Sequence, residues 1–195
     1  MTWPNRITYT RILFIPFFAI AAMQVRYHES FKYVALGLFV LMSLTDLLDG
    51  YIARRFNLTS LEGKFIDPLA DKLLMMTASV FLALPIWRMA DGRAPLLVEI
   101  ATIIIARDLL ICVWVIATFL AGVKKVYEPS RLGQTTTFVQ MTMTGAMLLG
   151  VISPAVYRYA AVPLSYGAAG FTIASGLQYL YRYVRTLNLH ATNGS

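Results

Sequence analysis

Asp46-Leu-Leu-Asp49-Gly50-Tyr-Ile-Ala53-Arg54, eight further residues, then Gly63-Lys-Phe-Ile-Asp67-Pro-Leu-Ala-Asp71: this stretch sets four aspartates within a short span while hydrophobic sequence lies on both sides. A carboxylate inside a membrane span is costly and marks a functional position by default, so four together need a common partner. At about 100° per residue, Asp46, Asp49, Gly50 and Ala53 lie along one helix face. Asp67 and Asp71, at i and i+4, share a face of the next helix. Two antiparallel helices joined by a short loop therefore point four carboxylates into one cleft. Mutual repulsion would neutralise them unless cations intervene, and all-oxygen donors suit one or two hard divalent ions, Mg²⁺ or Mn²⁺. No His or Cys cluster competes for zinc. Gly50, Ala53 and Gly63 remove bulk from the carboxylate face, which either admits a nucleotide close to the backbone or allows close helix packing. Arg54 supplies a permanent cation suited to bidentate phosphate contact.

Outward from this stretch, 195 residues that are 58% hydrophobic and 14% charged are too apolar for an ordinary soluble domain. The apolar residues come in long blocks, so the chain is read as a polytopic membrane protein. The N-terminus lacks the basic start, short apolar core and small-residue cleavage site of a secretory signal, so the first block is expected to stay as a span. The single cysteine, Cys112, lies in an apolar run and is read as an inert buried thiol. Net charge is +7, but the basic residues are scattered between apolar blocks, which favours anionic lipid and phosphate as partners and argues against nucleic acid. Tyr9, Tyr27, Tyr33, Tyr127, Tyr157, Tyr159 and Tyr183 fall near block ends, where aromatic side chains anchor helices at the interface.

A span needs about 20 mostly apolar residues, and segments near 7–25, 33–55, 67–87, 94–122, 133–152 and 156–182 satisfy this. The predicted fold is an all-α integral membrane protein, a six-transmembrane-helix bundle with a cytoplasm-facing polar cleft. Short connections make residues 1–190 one domain, with 191–195 a loose tail. The Met1 to Arg11 opening, with Pro4, Asn5, Thr8 and two arginines, predicts a short interfacial helix or the polar first turns of span one. With the N-terminus cytoplasmic, eleven Lys and Arg fall on that side, five on the other and Arg107 inside span four. The imbalance predicts cytoplasmic N- and C-termini and an acidic motif facing the cytoplasm. Intramembrane carboxylates also occur along ion paths, making a divalent-cation transporter the alternative of a different class. A path would need polar groups through the depth of the bilayer, whereas these acids sit at one end.

The pattern Asp46-x-x-Asp49-Gly50-x-x-Ala53-Arg54-x8-Gly63-x3-Asp67-x3-Asp71 resembles the complete signature of the CDP-alcohol phosphotransferases, at the usual spacing. The resemblance implies a six-helix integral membrane fold, usually homodimeric. It implies that Asp46, Asp49 and Asp67 bind the metal ions that hold the diphosphate of a CDP-linked lipid. Asp71 is the expected general base and a further metal ligand. Asp49, Gly50, Ala53, Arg54 and Gly63 would shape the CDP-lipid pocket. Lys72 is either a phosphate contact in that pocket or an interfacial lysine.

Further motifs are similar to those of one branch, the phosphatidylglycerophosphate synthases: Pro4-Asn5-x-Ile7-Thr8-x-x-Arg11, Ile105-Ala-Arg107-Asp108, Pro129-Ser130-x-x-Gly133 to Thr137-x-x-Gln140, and Ser175-Gly176-x-x-Tyr179. This implies CDP-diacylglycerol as donor, sn-glycerol 3-phosphate as acceptor and a bacterial cytoplasmic membrane as location. Arg107, unpaired inside a span, would be expensive; it is expected either to bind the acceptor phosphate, with Asp108 as partner, or to form a structural ion pair with another helix. Arg131 and Arg11 are further candidates for that phosphate. Two features depart from the branch. Asp108 stands where it usually has Glu, and Gly133-Gln134-Thr135-Thr136-Thr137 replaces its usual Gly-Lys-x-Lys-Thr. The missing lysines make a cardiolipin synthase, with phosphatidylglycerol as acceptor, the close alternative.

Overall fold

The computed structural model describes residues 3–56, 61–87, 94–120 and 130–192; within its helices the side chains of 3–9, 11, 47, 49–56, 61–68, 71, 115, 118, 119 and 182–192 lie outside the description. Every regular element among the described residues is helical: α1 (Trp3–Gln24), α2 (Phe31–Phe56), α3 (Leu61–Ala83), α4 (Val98–Leu120), α5 (Arg131–Gly150), α6 (Pro154–Val156) and α7 (Val162–Thr192). A π-helical segment, Tyr157–Ala161, joins α6 to α7.

Prolines set several of these boundaries. Pro4 sits in the first turn of α1, where its missing N–H would have no partner anyway. The polar opening is thus the start of the first long helix and not a separate interfacial one. Pro85 and Pro95 bracket the α3 to α4 connection, so α3 stops at Ala83 and α4 begins at Val98, each four residues inside its predicted span. Pro163 lies two residues past the π-helical segment. In a regular α-turn its ring would press on the Tyr159 carbonyl; the wider turn, closed by Val162 N–H on the Tyr157 carbonyl, makes room for it. At the far end α7 stays helical through Ala191 and Thr192.

The helices close into a ring. α1 packs on α2 and α3, α3 on α4, α4 on α7, α7 on α5 and α5 on α2, with α3 also reaching α5 across the ring. In a lipid surrounding, association depends on close packing and hydrogen bonds more than on hydrophobic transfer. Among the described residues the interior accordingly contains eight buried alanines (Ala21, Ala22, Ala35, Ala70, Ala78, Ala101, Ala161, Ala168) among larger side chains such as Phe18, Phe39, Met75, Ile104 and Met147. Phe18 of α1 and Phe39 of α2 meet with tilted rings, 6.4 Å between centroids. Trp87, fully buried beyond α3, donates Nε1–H to the Ala22 carbonyl at 3.1 Å, satisfying an orphan acceptor in the last turn of α1. Leu96 N–H bonds the Leu82 carbonyl at 3.1 Å, pinning the other end of the same connection.

The outside of the ring is apolar too. Leu110, Val113 and Leu120 on α4, Phe138 on α5, and Leu177 and Leu180 on α7 are all at least 60% exposed. Such a surface on long helices suits lipid and not water. Among the described residues, the rod Pro154–Tyr181 is the one helix long and apolar enough by itself to cross a membrane.

Candidate functional site

The backbone carries the acidic motif on α2 and α3. Asp46, Asp49, Gly50, Ala53 and Arg54 lie in the C-terminal part of α2, and Gly63, Asp67 and Asp71 in the first half of α3. Only four residues, 57–60, separate the two helices. Asp46 is half-buried. The side chains of Asp49, Gly50, Ala53, Arg54, Gly63, Asp67 and Asp71, and that of Arg11 on α1, fall outside the described residues. What can be tested is the chemistry of the donor set: four carboxylates with no nitrogen or sulfur donor fit a hard divalent ion such as Mg²⁺ or Mn²⁺.

Immediately after Asp71 the side chains are described, and they form a buried charged cluster drawn from four helices. Lys72 of α3 is 5% exposed; its Nζ lies 3.1 Å from Asp108 Oδ1 on α4 and donates to Thr137 Oγ1 on α5 at 3.0 Å. Lys72 is therefore not a lysine reaching for the interface. Arg107, next to Asp108, donates Nη1–H to the same Oδ1 at 2.7 Å and Nη2–H to Ser175 Oγ on α7 at 2.9 Å. Its guanidinium lies 5.6 Å from the centre of the Tyr179 ring, one turn beyond Ser175. Arg107 thus pairs with its own neighbour, while Lys72 makes the ion pair between helices.

Sequence spacing explains how these groups meet. Gly133 and Thr137 are one turn apart on α5, and Ser175 and Tyr179 are one turn apart on α7, so each pair shares a face. Ser130 caps α5 by accepting from Gly133 N–H at 3.0 Å, fixing where that helix starts. A Cβ on Gly133 would lie 2.5 Å from the Tyr179 hydroxyl, so glycine there lets the tyrosine lie against α5. Thr136 turns away from the cluster, donating to the Leu132 carbonyl at 2.7 Å and lying 3.2 Å from the Phe171 carbonyl. Gln140, one turn on, donates to Thr172 Oγ1 at 3.0 Å, continuing a hydrogen-bonded seam between α5 and α7.

Two cations share one carboxylate, leaving the cluster with an excess positive charge among the described side chains. Removing one partner from a buried pair leaves an uncompensated charge, at a cost of about 3–5 kcal/mol. Arg131 is exposed at the first residue of α5. A cavity of about 410 Å³, lined by Arg26, Lys32, Trp87 and Val151 among others, opens beside the α1–α2 turn, at the opposite end of α2 from the acidic motif.

Comparison with known proteins places this architecture. The family model described as CDP-alcohol phosphatidyltransferase matches residues 1–173. The chain belongs to that family. This CDP-alcohol phosphatidyltransferase is 33% identical over 192 residues to the CDP-diacylglycerol–glycerol-3-phosphate 3-phosphatidyltransferase of Bacillus subtilis, covering 90% of this chain and 92% of that protein. It is 39% identical over 147 residues to the protein of the same name in Rickettsia felis, covering 75% of each. It is also 32% identical over 196 residues to a cardiolipin synthase (CMP-forming) / mitochondrial hydrolase fusion protein of Schizosaccharomyces pombe, covering 91% of this chain but 30% of the fusion. The matched span of the CDP-alcohol phosphatidyltransferase model includes the whole acidic motif, Lys72, Arg107 and Asp108; Ser175 and Tyr179 follow just beyond it.

Sequence reasoning reached Arg107 and its pairing with Asp108 but gave no role to Thr137, Ser175 or Tyr179, and did not find the Lys72–Asp108 pair. The one-turn spacing of Ser175 and Tyr179 was the available signal for a shared face. No local signal links Lys72 to Asp108, which are brought together only by the packing of α3 on α4.

Proposed function

We propose that this protein transfers the phosphatidyl group of CDP-diacylglycerol to sn-glycerol 3-phosphate, giving phosphatidylglycerophosphate and CMP. The observation that carries the acceptor is the buried Lys72–Asp108–Arg107 cluster, in which, among the described side chains, two cations share one carboxylate, an excess of positive charge that suits a phosphate. The names of the Bacillus and Rickettsia relatives support the same reading.

Asp71 takes the proton of the acceptor hydroxyl as its oxygen forms a bond to the phosphatidyl phosphorus, and the bond from that phosphorus to CMP breaks. Asp46, Asp49, Asp67 and Asp71 hold Mg²⁺ or Mn²⁺, which when bound offsets charge on the diphosphate. Asp49, Gly50, Ala53, Arg54, Gly63 and Lys72 border the CDP-lipid. Arg107, with Arg131 and Arg11, receives the acceptor phosphate. The helices form six spans of a bacterial cytoplasmic membrane, with both termini and the cleft on the cytoplasmic side and two copies in a homodimer.

A second reading, cardiolipin synthesis from phosphatidylglycerol, is favoured by the similarity to the Schizosaccharomyces fusion protein and by Gln134 and Thr136 standing where lysines are expected. One assay separates the two: purified protein with CDP-diacylglycerol, Mg²⁺ or Mn²⁺, and either acceptor, following CMP. Release with glycerol 3-phosphate is expected. Release only with phosphatidylglycerol selects the second reading, and none with any alcohol rejects both.

A further inference from the structure

Most hydrogen-bonding groups of the buried cluster are taken, and two are not. Arg107 uses Nη1 on Asp108 and Nη2 on Ser175, but Nε–H has no acceptor among the described residues. Asp108 receives both Lys72 Nζ and Arg107 Nη1 on Oδ1, while Oδ2 has no donor among the described residues. Native interiors keep few such orphans, and a half-satisfied network in a low dielectric is costly unless something completes it. The two open atoms belong to consecutive, ion-paired residues. One is a donor on a cation and the other an acceptor on an anion. A small molecule carrying an anionic oxygen and, a few bonds away, a hydroxyl complements both at once.

We infer that Asp108 is a specificity-determining residue: its Oδ2 accepts a hydrogen bond from a second, non-reacting hydroxyl of the acceptor while Arg107 Nε–H donates to the acceptor's phosphate. The acceptor class is then a polyol phosphate and not any phosphorylated alcohol. The inference deepens the transferase reading above and rests on it. Charge supports it: with Lys72 also on Oδ1, the carboxylate can remain beside a phosphate without net repulsion from the site. Arg107 is 6% exposed and Asp108 is fully enclosed, so a ligand bound to the pair is held away from bulk solvent.

The test is CMP release by the full-length protein with CDP-diacylglycerol and Mg²⁺, using two acceptors. sn-Glycerol 3-phosphate carries phosphate, primary hydroxyl and secondary hydroxyl; 3-hydroxypropyl phosphate lacks only the secondary hydroxyl. A site built to bond a hydroxyl through a charged group discriminates against the analogue lacking it, and wild type is expected to prefer glycerol 3-phosphate by at least about tenfold in kcat/KM. Asp108→Asn should narrow the preference to below about threefold, Asp108→Glu should keep it, and Arg107→Lys should lower both acceptors together with the ratio unchanged. A merely structural Asp108 would lower both substrates equally. Equal kcat/KM in wild type overturns the inference without any variant having to fold. A ratio kept in Asp108→Asn overturns it as well. CMP release with phosphatidylglycerol alone, or with no acceptor, overturns the glycerol 3-phosphate reading itself and the inference with it.

Discussion

Gly133 has no space for a methyl group, because its missing Cβ would sit 2.5 Å from the Tyr179 hydroxyl. Gly133→Ala requires the Tyr179 hydroxyl to shift, and because the Tyr179 ring faces Arg107 the change is expected to raise the KM for glycerol 3-phosphate several-fold while the KM for CDP-diacylglycerol stays within about twofold; steady-state kinetics with each substrate varied in turn will show the split. The aspartates divide differently. Asp71→Asn should abolish turnover and leave CDP-lipid binding largely intact, whereas Asp67→Asn should weaken metal-dependent binding as well. Equal loss of binding in both would contradict the separation of base from ligand. At this scale the sequence was most legible where function fixes spacing. The eight positions from Asp46 to Asp71 pointed to the family whose model matches residues 1–173. Lys72 was not legible, because its partner Asp108 is 36 positions away and nothing in either neighbourhood marks the other.

Helix ends carry the tests at the level of elements. Ser130 caps α5 through Gly133 N–H, and Ser130→Ala is expected to cost about 1 kcal/mol, read as a lower Tm in detergent. Trp87→Phe keeps most of the buried surface but leaves the Ala22 carbonyl unbonded, and a loss of roughly 1–3 kcal/mol is expected in the same measurement. Helices themselves were readable from apolar blocks, and their ends from proline once its geometry is taken literally. Pro85 and Pro95 trim α3 and α4 to less than their apolar length, since hydrophobicity does not stop where the backbone ladder does. The π-helical segment at Tyr157–Ala161 was not foreseen, although Pro163 inside an apolar block was the physical reason for it.

For the whole molecule, the ring order of helices comes from packing and had no counterpart in the linear pattern. An exterior of exposed leucines and valines around a cluster of buried charge is the arrangement expected of a protein whose solvent is lipid. The proposed six-span orientation can be checked with the native thiol removed as Cys112→Ala. A membrane-impermeant thiol reagent applied to intact cells should label Glu29→Cys and spare Gln134→Cys until the membrane is opened. Chelation should end CMP release, with Mg²⁺ or Mn²⁺ restoring it. The shared oxygen of Asp108 also bears on how such chains can change over evolutionary time. Because Lys72 and Arg107 both rest on Oδ1, neutralising position 108 strands two like charges from different helices. Natural homologues lacking an acid at this position are therefore expected to have lost the positive charge at position 72 too. The three positions should drift as a unit, so that residues far apart in the chain show correlated histories while their immediate neighbours vary freely.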